Sequence, residues 1–256
     1  MSENEKDIQE KVIKDTIERT VSFSSDNYQL RGILHLPLKA EKPPVVIGSH
    51  GLFSGKDSPK QIALAEKCNA EGIAYFRFDH RGCGDSEGNF KEVTGFEARC
   101  NDLISAIRTT REQDDLGDRI ALFGSSLGGA VCLNVCRQMG ISALVTLAAP
   151  LKSEPVFRAM QKAGEETELE GFRPAALQFD LSKKVAEIKH ILVFHGDSDK
   201  TVPPSDAHRL YQKCVLPKRI IMLRNGDHRL SSEENQKKFY LESVAWFRKW
   251  LLDSRP

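Results

Sequence analysis

The chain lacks almost every feature that would assign it to a class by composition alone. Its 37 Lys and Arg balance 36 Asp and Glu, for a formal net charge of +1, so no bulk field draws it to nucleic acid or anionic lipid. No window approaches the roughly 18 consecutive apolar residues of a membrane span. The opening residues, Met1-Ser2-Glu3-Asn4-Glu5-Lys6-Asp7, are charged and lack the apolar core of a secretory signal. A cytoplasmic location is the expectation. Gly (18) and Pro (11) are near average usage, and repeats and low-complexity tracts are missing, which excludes collagen-like chains. Cys68, Cys83, Cys100, Cys132, Cys136 and Cys214 do not make a disulfide framework in so long a chain, and no C-x-x-C pair or histidine partner gives zinc-ligand spacing. They read as small buried apolar residues, with Cys132 and Cys136 on one helix face.

What is present is a patterned chain of 256 residues with 40% hydrophobic and 29% charged content, a length that suits one large α/β domain. In residues 1–19, Ile8, Val12, Ile13 and Ile17 recur at roughly helical spacing, which predicts a short amphipathic helix or arm ahead of a domain over 20–256. Thr20–Ser24 and Tyr28–Leu36 alternate around Asp26-Asn27 as a β-hairpin. Short apolar runs follow at Val45–Ser49, Ile73–Phe78, Arg119–Phe123, Ala143–Ala148, His190–Phe194 and Arg219–Leu223. Each suits a strand buried on both faces. Helical patterns alternate with them, on Phe96, Cys100, Leu103, Ile104 and Ile107, on Tyr240, Val244, Phe247 and Leu251, and after Ser58 and Pro203-Pro204. The alternation predicts an α/β fold with a mostly parallel sheet and helices on both faces. Its site belongs beyond the carboxyl ends of the strands. The longest interval without a strand, 151–189, leaves room for a small cap, and the glutamates of 165–170 within it read as a solvated face.

Directly after the run Arg119–Phe123 comes Gly124-Ser125-Ser126-Leu127-Gly128-Gly129, a G-x-S-x-G pattern centred on Ser126. A nucleophile on a sharp strand-to-helix turn is crowded by the residues two positions away on each side, and glycine relieves that crowding. Ser126 has Gly124 and Gly128 there, whereas Ser125 has Phe123 and Leu127. A phosphate cradle of the Walker type is disfavoured because its Lys is missing.

A serine hydroxyl needs a base to take its proton and a carboxylate to orient that base. Of the histidines after Ser126, His190 and His195 bracket a strand core, and His208 lies in a predicted helix. His228 stands on the loop after Arg219–Leu223, so it is the candidate base. For the acid, Asp197 and Asp199 both lie on the loop after His190–Phe194, and periodicity does not separate them. Asp227, adjacent to the base, is poorly placed to reach its Nδ1. Acyl transfer also needs two N–H donors for the developing oxyanion. The candidates are Leu127, next to the nucleophile, and Leu52, on the His50-Gly51-Leu52-Phe53 loop after Val45–Ser49.

Over residues 28–252 the chain resembles the α/β-hydrolases, in the branch of small bacterial esterases similar to cinnamoyl/feruloyl esterases and serine-aminopeptidase-like hydrolases. The markers are His50-Gly51, the segment from Phe78-Asp79-His80-Arg81 to Gly88, Gly124–Gly128, Gly196-x-x-Asp199-x-x-Val202-Pro203 and Gly226-Asp227-His228. The resemblance implies a twisted sheet of about eight strands, selects Asp199 as the acid, and makes Asp79, Arg81 and Ser86 scaffold. Cinnamoyl esterases carry a larger insertion than 151–189 allows, which disfavours an aromatic-acid substrate. The expected activity is hydrolysis of a small carboxylic ester through an acyl-enzyme, with Ser126, His228 and Asp199 as triad and no cofactor or metal. The rate should rise as His228 loses its proton, between about pH 6 and 8. The alternatives are an acyl thioesterase or an aminopeptidase with the same triad, or a non-catalytic binding protein on the same fold.

Overall fold

In a computed structural model, which describes residues 10–13, 16–155, 157 and 174–253, the apolar runs lie side by side in one sheet. The elements in chain order are β1 (Glu10–Ile13), β2 (Thr16–Ser25), β3 (Tyr28–Pro37), β4 (Val45–Ser49), α1 (Pro59–Ala70), β5 (Ala74–Phe78), the short α2 (Phe90–Val93), α3 (Phe96–Arg111), β6 (Ile120–Ser125), α4 (Leu127–Val135), β7 (Ala143–Leu147), a 3-10 turn (Pro174–Leu177), β8 (Ile191–Gly196), α5 (Pro204–Lys213), β9 (Lys218–Leu223) and α6 (Glu233–Arg248), which ends in a π turn (Lys249–Asp253). The described strands number nine, in the order β1-β2-β3-β5-β4-β6-β7-β8-β9. The pairings from β5 through β9 are parallel, and β1, β2, β3 and β5 pair antiparallel.

The central strands are buried on both faces, and their residues divide by parity. Val45 and Ile47 of β4, Leu122 of β6 and Val193 of β8 pack with Leu103 and Ile107 of α3 and Val131 of α4. Val46, Phe123 and Phe194 point the other way, to Leu64 and Cys68 of α1 and Phe239 and Phe247 of α6. Each such side chain contributes roughly 1.5–3 kcal/mol by leaving water. All six cysteines are free and buried.

The N-terminal expectation is corrected. Residues 10–13 form a strand and 16–19 begin β2, so this part of the 1–19 segment is not helical; residues 1–9, 14 and 15 lie outside the described residues. The β-branched Val12, Ile13, Thr16 and Ile17 suit an extended backbone, and β1 takes its hydrogen bonds from the free edge of β2. This added pairing makes nine strands where about eight were expected. Of the predicted cap at 151–189, residues 156 and 158–173 lie outside the described residues. Its flanks are tied down by the Lys152–Asp180 bridge and by Phe179, which stacks on Phe96 at 4.3 Å.

The turn after β5 is a polar scaffold. Asp79 accepts the Lys56 N–H at 2.7 Å, and Ser86 Oγ donates to the Asp79 carbonyl at 2.7 Å. Arg81 donates through Nε and Nη2 to Asp102 Oδ1 on α3 at 2.9 and 2.7 Å. Burial lowers two histidines near this scaffold, His35 to about 3 and His80 to about 4, the first aided by the Arg77 charge and the second opposed by a hydrogen bond to Asp102. Both must fold neutral. The unfolded chain binds their protons below about pH 6.5, so stability is present above that pH and is lost as pH falls toward 4. The expected slope is up to about 1.4 kcal/mol per pH unit for each histidine. Urea midpoints between pH 8 and 4 check it, and a midpoint flat from 6.5 to 4.5 contradicts it.

Candidate active site

β4 lies between β5 and β6; the chain steps from β4 to β5 on one side, then crosses back past β4 to β6 and continues to β7 on the other. The crevice beyond the carboxyl ends of β4 and β6 is therefore the topological switch point, where open α/β sheets place ligands. The loop His50-Gly51-Leu52 leaves β4 there, and Ser126 follows β6.

Ser126 joins β6 to α4 with φ +54° and ψ −125°. This backbone region is sparsely populated by any residue except glycine and costs on the order of 1–3 kcal/mol. It is held by the Ser126 N–H bond to Leu147 O at 2.8 Å and by Gly129 N–H to Ser126 O at 2.8 Å. The flanking glycines are needed for backbone approach. A Cβ on Gly124 would lie 2.6 Å from Gly129 Cα, and one on Gly128 would lie 2.6 Å from His50 O.

His228 and Asp199 arrive from the loops after β9 and β8. His228 Nε2 is 3.0 Å from Ser126 Oγ, and its Nδ1 is 2.8 Å from Asp199 Oδ2. Asp199 Oδ1 accepts the N–H groups of Thr201 and Val202 at 2.8 and 2.9 Å. The carboxylate can only accept from Nδ1–H, which leaves the Nε2 lone pair facing the serine hydroxyl. Burial alone would push the Asp199 carboxyl up. Hydrogen bonds with His195, His228 and the Val202 N–H outweigh it and hold the carboxyl well below the usual range. The Asp199 side chain is fully buried, whereas that of His228 is 21% exposed.

The competing residues have other partners. Asp197 accepts from Ser198 Oγ, and Asp227 accepts the Ser231 N–H and hydroxyl at 2.7 Å each. His190 stacks on Trp250, and His208 is exposed on α5. The role of His195 was missed in the sequence. Its Nε2 donates to Val202 O at 3.0 Å and lies 3.2 Å from Asp199 Oδ2, the same oxygen that faces His228 Nδ1. A histidine ending an apolar strand next to the acid loop was the available signal.

Gly51 lies against the serine, since a Cβ on it would be 3.5 Å from Ser126 Cβ. Leu52 is buried beside it, and Leu127 opens α4, where the first N–H groups have no intrahelical acceptor. His50 is buried and held neutral, well below its ordinary value, by burial and the nearby His80 and Arg99. Its Nε2 accepts the His80 N–H at 3.1 Å, so its Nδ1–H donates to Gly51 O at 2.8 Å. A cavity of about 670 Å³ opens beside this loop, lined by Leu52, Phe53, Cys83, Phe90 and Lys91 among others. Among the described residues no three His, Cys, Asp or Glu side chains gather at metal-ligand spacing, and no helix is long and apolar enough to cross a membrane.

The strand order, the turn at Ser126 and the placement of the crevice define an α/β-hydrolase. The profile of the serine aminopeptidase S33 family matches residues 40–170, just over half of the chain, and the chain belongs to that hydrolase family. The bovine mitochondrial palmitoyl-protein thioesterase ABHD10 is 28% identical over 241 residues, covering 84% of this chain and 76% of the bovine protein. The quorum-quenching protein AidA of Acinetobacter baumannii is 32% identical over 110 residues, 43% of this chain and 36% of AidA. Est1E of Butyrivibrio proteoclasticus, solved with ferulic acid bound, superposes with a TM-score of 0.70 at 20% identity over 88% of this chain and 99% of Est1E.

The loops that carry Asp199 and His228 meet through two glycines: a Cβ on Gly196 would overlap the Gly226 carbonyl and lie 3.0 Å from its Cα. Gly196→Ala should therefore part the loops and destabilise the protein by about 2 kcal/mol or more. A urea midpoint equal to that of the wild type would show that the loops have slack there.

Proposed function

We propose that the chain is a serine hydrolase that cleaves a carboxylic ester through an acyl-enzyme. The observation that carries this reading is the continuous contact Ser126 Oγ–His228 Nε2–Asp199 Oδ2, at 3.0 and 2.8 Å, beside the loop that holds Gly51 and Leu52. Ser126 Oγ attacks the ester carbonyl while His228 Nε2 takes its proton. Asp199 holds the imidazole in the required tautomer and stabilises the imidazolium without accepting its proton. The oxyanion receives the N–H groups of Leu52 and Leu127. His228 returns the proton to the leaving alkoxide, the C–O bond breaks, and the acyl group remains on Ser126. Water then repeats the attack with His228 as base, which releases the acid and restores the serine.

A second reading keeps every step and replaces the alcohol by a thiol. The bovine relative named as a palmitoyl-protein thioesterase, aligned over 84% of this chain, favours it. A thiolate is a better leaving group than an alkoxide, so the same machinery suffices. Comparing kcat/KM for an oxygen ester and a thioester of one acyl chain ranks the two readings.

With p-nitrophenyl butyrate, Ser126→Ala is expected to lose about 10⁶ in kcat and Asp199→Asn about 10⁴. A fluorophosphonate should add one covalent mass to the wild type, at Ser126. Turnover by Ser126→Ala within tenfold of the wild type would refute the reading.

A further inference from the structure

Beneath the loop after β4 lies a cation with no function in the steps above. Arg99, on α3, is completely buried, yet among the described residues no carboxylate lies within ion-pair distance of its guanidinium. The nearest acid in sequence on that face, Asp102, is bonded to Arg81 and His80 instead. Arg99 spends its donors on backbone. Nη1 donates to Gly51 O at 3.2 Å and His50 O at 3.4 Å, and Nη2 donates to Leu52 O at 3.1 Å and Cys83 Sγ at 3.4 Å. Its Nε finds no partner. A buried guanidinium is costly, and this one faces three successive carbonyls of the loop nearest Ser126.

Peptide planarity supplies the consequence. In a trans peptide the C=O of one residue and the N–H of the next point in opposite directions. Drawing the Gly51 carbonyl toward Arg99 therefore aims the Leu52 N–H away from the guanidinium, and drawing the Leu52 carbonyl does the same for Phe53. His50 Nδ1–H, at 2.8 Å, reinforces the first of these. Without Arg99 the Gly51–Leu52 peptide could rotate and present its carbonyl, the wrong end of the dipole, to a developing negative charge. We propose that Arg99 is the positioning residue of the oxyanion hole, fixing the Leu52 N–H toward Ser126 by holding the Gly51 and Leu52 carbonyls from behind. Its positive charge also lies at the carbonyl end of those peptides, where it strengthens their dipoles in a medium that screens poorly. This inference rests on the proposed acyl-enzyme chemistry.

The test compares wild type, Arg99→Met and Arg99→Lys, with Ser126→Ala as the separate control on the underlying reading. For each folded variant kcat, KM, the acid limb of the pH profile and the affinity for an alkylboronic acid, which forms a tetrahedral adduct on serine, are measured. Arg99→Met is expected to lose about 10²–10³ in kcat, the scale of one oxyanion donor, with KM within about threefold. Boronate affinity should fall with kcat while the acid limb of the pH profile stays in place. Arg99→Lys should recover about tenfold of the lost kcat and stay below the wild type, since an ammonium still donates to one carbonyl but cannot span all three. A folded Arg99→Met with wild-type kcat, or with its whole loss in KM, overturns the proposal. Should that variant not fold, a folded Arg99→Lys with wild-type kcat and boronate affinity overturns it, and failure of both to fold makes Arg99 a stability residue and overturns it too. Activity retained in Ser126→Ala would instead strike the acyl-enzyme reading and leave the Arg99 comparison without its premise.

Discussion

The distance at which backbones approach one another at the carboxyl edge of the sheet governs the rest of the site. Gly128 lies against the carbonyls of Ser49 and His50, Gly124 against the first turn of α4, and Gly196 against Gly226. Any of these contacts widened by one methyl group would separate segments that come from β4, β6, β8 and β9. The strained turn at Ser126 survives because those contacts leave it no relaxed alternative: its N–H is bonded to Leu147 on the neighbouring strand and its carbonyl to α4. Parallel strands with short carboxyl-end loops thus fix side chains that are as much as 102 residues apart in the chain.

Behind this rigid edge lies a polar layer rather than an apolar one. Ser49, His50, His80, Arg81, Arg99 and Asp102 are all buried and bonded to one another or to the loop after β4. A methionine or leucine layer of the same volume would pack as well and would not oppose folding with desolvation. It would not, however, set the direction of a peptide plane. His50 and Arg99 both donate to Gly51 O, so the orientation of one peptide has two independent supports. The thermodynamic burden of neutral buried histidines is then intelligible as the cost of a layer whose contribution is orientation.

How much of this could be read from the residues alone follows from what each signal encodes. The strands after residue 44 were legible because burial on both faces compresses them into short apolar runs, and helix periodicity between them gave the parallel sheet. The elbow was legible because glycine at 124 and 128 has a steric meaning at that turn. The choice between Asp197 and Asp199 was not available from periodicity, since both sit on one loop; it depends on which carboxylate meets the Thr201 and Val202 N–H groups, and only the family pattern pointed to Asp199. The N-terminal strand was misread because Val12, Ile13 and Ile17 fit a helical face nearly as well as an edge strand, and pairing with β2 decides the matter. Arg99 carried a signal that was overlooked. It falls three residues after Phe96 and four before Leu103, on the apolar stripe of α3, where a charged side chain has to be either buried with partners or misplaced.

The two halves of the proposed relay differ in their exposure to water, and the difference follows from the fold. Asp199 hangs from a strand flanked on both sides, closed in by Val202 and backed by His195, so its hydrogen bonds operate without competition from solvent. His228 comes from the loop after β9, the last described strand on this side of the sheet, and remains partly open. An acid that must stay ionised gains from several donors in a dry setting. A base that must accept a proton, pass it on and admit the water for the second half of the cycle gains from the opposite. Placing the acid one strand inward from the base satisfies both needs with a single strand order. At the edge of the described sheet, β9 leaves the proposed base open to water while β8 keeps the proposed acid dry.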